Sequence, residues 1–158
     1  MLSTNIIRGE FDWKLIYFTT ISSSYSYDDS SWNGYFLNSN GLDQINLIRQ
    51  TRADSVQLAI FISQSKIFTR QFPYNIKDGG HAEIQLINLK RVFTVVSGSS
   101  GDDSTFLGST FDSLTFQVTS FVNNTLEGKF EGSLLSYSGS TIIVKNGSFR
   151  ITVKVDIN

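Results

Sequence analysis

The sequence predicts an all-β fold: an antiparallel β-sandwich of about eight or nine strands, with a β-barrel as the alternative. Three observations predict it. Alanine, the strongest helix former, occurs only at Ala53, Ala59 and Ala82. Ser, Thr, Ile, Val, Phe and Tyr are abundant, and Gly and Asn punctuate short runs, which is strand-and-turn composition. Several runs alternate apolar and polar residues with period 2, the pattern of half-buried antiparallel strands.

The elements follow in order. Residues 11–21 read as a strand, with Trp13, Tyr17 and Phe18 expected in the core. SSSYSYDDSSWNG (22–34) is a loop, and 32–37 a strand. QINLIRQTR (44–52) fits either one helical turn or a strand, and we favour the strand. In DSVQLAIFIS, Val56, Leu58, Ile60 and Ile62 share one face. The lone Pro73 marks a strand end or edge, and KDGG (77–80) a turn. Strands follow at 82–87 and 89–96, then the loop SGSSGDDS (97–104). In DSLTFQVTS, Leu114, Phe116 and Val118 face in. In 125–136, Leu126, Phe130 and Leu134 share a face with Gly128 and Gly132. A strand is read at 141–145. Asn146-Gly147 supplies the positive φ of a tight hairpin turn. In SFRITVKV, Phe149, Ile151, Val153 and Val155 face in, with Arg150, Thr152 and Lys154 opposite.

Composition bounds the function. A chain of 158 residues fits one domain, 1–158, with a core that needs no staples. Net charge is −1 and no basic block occurs, so nucleic acid is not an expected partner. Without cysteine there are no disulfides, thiolate nucleophiles or zinc–cysteine sites. No run reaches the ~18 apolar residues of a membrane helix, so no transmembrane segment is expected. MLSTNIIRGEFDW shows neither the basic nor the apolar region of a signal peptide. An extracellular, periplasmic or cell-surface location therefore requires that a signal was removed.

Candidates for chemistry are few. Glu127 and Glu131 lie four residues apart on one strand, hence about 13 Å apart at ~3.3 Å per residue. Glycosidase carboxylates stand about 5–5.5 Å or ~6.5–9.5 Å apart, so this pair reads as a solvated face. His81, the single histidine, follows two glycines at the start of a strand without a nucleophile elbow and reads as an exposed turn histidine. Calcium needs only oxygen ligands; Asp28, Asp29, Asp102 and Asp103 lie in loops and are its candidate ligands, although aspartate also suits turns for its own reasons. Tyr25, Tyr27, Trp32 and Tyr35 lie in or beside the Ser- and Asp-rich loop and form the candidate binding site. Exposed aromatics can stack on sugar rings or anchor a protein. The competing reading is that they cap one end of the core.

Asn124, Gly128, Phe130 and Gly132, then Asn146, Gly147 and Phe149, form a pattern in the C-terminal half. With it the chain resembles small secreted or lipid-anchored all-β domains of unknown function from Bacteroidetes-type bacteria. Trp13 matches an early Trp-bearing strand, and Tyr74 to Ile76 a central segment. The resemblance implies a cell-envelope or outer location and carries over no catalytic residue. The expected function is a non-catalytic binding domain for carbohydrate or another envelope protein. The alternatives are a small glycan hydrolase using Asp and Glu from different strands, and a structural module that self-associates through its edges.

Overall fold

The computed structural model describes residues 6–19, 33–37, 41–51, 56–77, 79–88 and 105–153, with 33–37 and residue 88 described by backbone alone. All its regular elements are strands: β1 (Ile6–Phe11), β2 (Lys14–Phe18), β3 (Asn33–Leu37), β4 (Asp43–Gln50), β5 (Val56–Gln64), β6 (Tyr74–Asn75), β7 (His81–Asn88), β8 (Thr105–Ser109), β9 (Leu114–Val122), β10 (Thr125–Ser136) and β11 (Thr141–Thr152). They form one antiparallel sheet in the order β2-β1-β11-β10-β8-β7-β5-β4-β3. The long β10 pairs β9 along its first part and β8 at its end, and β6 adds to the far edge of β9. The sheet curls into a half-barrel around one core. The Thr19 amide donates to the Gln50 carbonyl at 3.2 Å, which brings the end of β2 against the end of β4.

The near half, β2-β1-β11-β10-β9-β6, turns through tight loops. Asp12 and Trp13 both have positive φ (48° and 70°), the requirement of a two-residue hairpin whose twist matches its strands. Asp12 locks that turn onto β11, donating from N to the Ile143 carbonyl and accepting from the Ile143 amide, both at 2.8 Å. Asn123-Asn124 makes the same turn between β9 and β10, with φ of 52° and 61°.

The run 11–21 is therefore not one strand, and two of its residues are not core. Trp13 is 77% exposed and Tyr17 48%, whereas Phe18 is fully buried. The turn at residues 12–13 resets the alternation, so Ile16 and Phe18 face in. Asn146-Gly147 is also corrected. It lies inside one continuous strand, and the chain reverses instead through residues 137–140. Asn146 takes its positive φ (52°) as the extra residue of a β-bulge, a second use of that conformation. Both neighbouring strands record it: Phe130 and Gly132 face Gly147 and Val144, while Arg8 and Glu10 face Ser148 and Lys145. Before the bulge Ile142 and Val144 point in; after it Gly147, Phe149 and Ile151 do.

Gly128 lies opposite Phe149, and Phe130 opposite Gly147. A β-carbon on either glycine would collide with the facing phenyl ring, so each ring lies flat over the bare backbone of its partner. Phe116 completes the cluster, 5.9 Å from Phe130 and 5.5 Å from Phe149 between centroids.

The far half, β8-β7-β5-β4-β3, has unbroken register. Along β4, β5 and β7 its core is aliphatic: Ile45 and Leu47, then Leu58, Ile60 and Ile62, then Ala82, Ile84 and Leu86, with Phe106 of β8 beside them. The segment between β5 and β6 ties the halves together. Ile67 donates its amide to buried Asp43 at 2.9 Å and accepts the Tyr74 hydroxyl at 2.6 Å. Pro73 precedes β6, as a residue without an N–H suits an edge. Among the described residues no helix is long and apolar enough to cross a membrane.

Candidate functional site

The outer face of the near half concentrates polar and aromatic side chains. Alternation sends Arg8 outward from β1, Tyr17 from β2, Ser148 and Arg150 from β11, and Glu127 and Lys129 from β10. Register aligns them in rows. Tyr17, Arg8, Ser148 and Lys129 lie side by side across four strands, and Arg150 faces Glu127 in the next row. A groove of about 260 Å³ runs between these rows, with Gly128 and Phe149 in its floor. A second, about 300 Å³, shares Lys129 and extends past Gln117 and Glu131 to Asn75 and Asn146.

The charged groups are anchored. Arg150 Nε sits 3.1 Å from Glu127 Oε1, and Glu127 Oε2 accepts the Ser120 hydroxyl at 3.1 Å. Arg8 Nε donates to Ser148 Oγ at 3.3 Å. Glu131 accepts the Asn146 amide at 3.5 Å, and the Asn146 side chain donates to Glu10 from the other side. The two glutamates of β10 thus hold different partners: Glu127 an arginine, Glu131 the bulge. Lys145 places Nζ 4.3 Å from the centroid of the Trp13 ring, within cation–π range. Tyr17 thus lines the first groove as an exposed ring, and Trp13 is exposed at the β1–β2 turn over Lys145 on the same face.

A larger groove, about 410 Å³, crosses the outer face of the far half over Ala59. Ile48, Phe61 and Leu107 border it, and Glu83 is its one charged side chain. His81 opens β7, at the strand start expected of it, and is half-buried rather than exposed. Its ring stacks on Phe111 (centroids 5.0 Å) and approaches Phe61 (5.4 Å).

Tyr25, Tyr27, Trp32, Asp28, Asp29, Asp102 and Asp103 lie outside the described residues, as does the strand expected at 89–96. Tyr35 lies on β3 opposite Ile45. Among the described residues no three His, Asp or Glu side chains gather as a metal site would require. Sequence reasoning missed Arg8, Tyr17 and Trp13 as surface groups. Lys129 and Arg150 did read as outward-facing, but their neighbours are set by strand order. No known family model, curated protein or solved structure matches the chain.

Proposed function

We propose that this protein binds its ligand without transforming it, and that the ligand is a carbohydrate chain lying across the outer face of the near half. The carrying observation is the exposure of Trp13 and Tyr17, 77% and 48%, beside rows of polar side chains already held in place. Rings exposed at this level contribute little to the core. A sugar ring offers an apolar face for stacking and hydroxyls for the neighbouring donors and acceptors. The envelope location implied by the resemblance belongs to the same reading. For the architecture, we favour an open barrel over a sandwich, because one hydrogen-bonded path runs through the sheet and the Thr19–Gln50 bond draws its ends together.

The test is calorimetric titration with a panel of soluble polysaccharides, with and without calcium, on the wild type and on Trp13→Ala and Tyr17→Ala. We expect saturable binding of at least one glycan and a loss of tenfold or more in each variant. Both substitutions should leave stability within about 0.5 kcal/mol, as exposed changes do. Heat from no glycan in the panel would sink the carbohydrate reading and turn the search to a protein partner.

A further inference from the structure

Resting on that binding reading, we infer that the ligand is an acidic polysaccharide whose carboxylated sugar unit docks in the groove between Arg8, Lys129 and Arg150. The chain as a whole carries a net charge of −1, yet this groove holds three cations against the single carboxylate of Glu127. Glu127 is committed to Arg150. Among the described residues Arg8 and Lys129 form no ion pair, so the lining of this groove carries an excess of two positive charges; Glu131 and Glu10, two residues further along, are engaged by Asn146. They project from β1 and β10 on either side of β11, so their backbones are about 10 Å apart at ~4.8 Å per strand. Both side chains line the same groove.

The arginine geometry narrows the chemistry. Each guanidinium has five N–H donors in a planar fork. In Arg8 the Nε donor goes to Ser148 and in Arg150 it goes to Glu127, so neither bond consumes the terminal nitrogens. Such forks match a planar carboxylate in bidentate fashion. The Tyr17 ring stands in the same row as Arg8 and lines the same groove. An apolar ring face and a planar anion are thus recognised side by side, and a uronate presents both in one unit. At about 260 Å³ the groove falls just below the ~300–1,000 Å³ of drug-sized pockets, which suits one residue of a longer chain.

The probe is polygalacturonate, compared with its fully methyl-esterified form and with polyglutamate, titrated into the full chain at two salt concentrations. We expect polygalacturonate to bind, the ester to bind at least tenfold more weakly, and affinity to fall as salt rises. Lys129→Gln and Arg8→Gln should each lose about tenfold for polygalacturonate, with circular dichroism and unfolding midpoint unchanged. Glu83→Gln, in the far groove, should bind as the wild type does. Equal binding of acid and ester, with both charge variants unaffected, overturns the acidic specificity and leaves carbohydrate binding standing. Polyglutamate binding as tightly as the uronate overturns the sugar unit as the recognised group. If no glycan of the wider panel binds either, both readings fall together.

Discussion

The two halves of this sheet solve the same packing problem in different ways. The far half is regular: aliphatic side chains alternate along β4, β5 and β7, and register never slips. The near half is irregular. It has a bulge at Asn146, another register shift opposite Gly128, and phenyl rings laid over glycines. Each bulge re-aims the side chains that follow it. The bulge on β11 puts Phe149 inward and Arg150 outward, so Arg150 meets Glu127 and the groove acquires its charge. Regularity builds the scaffold, and the departures from it place the candidate site.

The deepest test of that contrast is to empty each core in turn. Ile60→Ala in the far half should cost about 2–5 kcal/mol, and Phe130→Ala in the near half about 3–5 kcal/mol. Both side chains are about 1% exposed. Urea denaturation monitored by circular dichroism gives both values. A loss below about 1 kcal/mol for Phe130→Ala would mean that the aromatic cluster is loosely packed and that the near half adds little to the fold.

Much of the far half was legible in the sequence, because its faces obey period 2 without interruption. Val56, Leu58, Ile60 and Ile62 were assigned inward and are buried. The same holds for Leu114, Phe116 and Val118, and for Phe149, Ile151 and Val153. The near half misled where one local conformation serves two architectures. An Asn in the left-handed region fits a hairpin turn or a bulge equally well, and only the neighbouring strands decide. A change of phase was nevertheless present in TIIVKNGSFRIT, where the inward residues pass from even to odd numbers. Trp13 misled because aromatics are usually buried and Asp-Trp lacks the glycine that announces a two-residue turn. The groove itself could not be read, since Arg8, Lys129 and Arg150 meet only through strand order. The loop residues expected to bind lie outside the described residues, so the candidate surface rests on other side chains.

Smaller perturbations probe the bulge directly. Gly147→Ala should destabilise by about 1–3 kcal/mol, as overpacking does, because the new methyl meets the Phe130 ring. Asn146→Ala should cost about 1–2 kcal/mol, since alanine resists the left-handed region. Asn146→Gly keeps the conformation at the price of the bond to Glu10, and should lie between alanine and wild type. If alanine and glycine at 146 are equivalent, backbone conformation is not what Asn146 contributes.

The finest test lies at the seam. Tyr74 pairs through β6 with the near half, donates its hydroxyl to Ile67, and through Ile67 reaches Asp43 on β4. Burial pushes its phenol well above the ordinary tyrosine value; the Arg70 guanidinium, 5.6 Å from the ring centroid, opposes that shift and Asp43 adds to it. The folded state therefore holds this proton more tightly than the unfolded chain. Stability from Tyr74 is fully present below the unfolded phenol value of about 10. Above it the unfolded state binds fewer protons than the folded one, so stability falls as pH rises. Tyr74→Phe should lose about 1 kcal/mol near neutral pH, the net worth of one hydrogen bond. It should also lose less stability than the wild type between pH 9 and pH 11. Following the wild type by near-UV circular dichroism, for aromatic side-chain packing, and by far-UV, for the sheet, asks whether packing and sheet are lost as one cooperative unit. Coincident transitions at high pH mean that they are; an earlier near-UV loss means that side-chain packing fails before the sheet does.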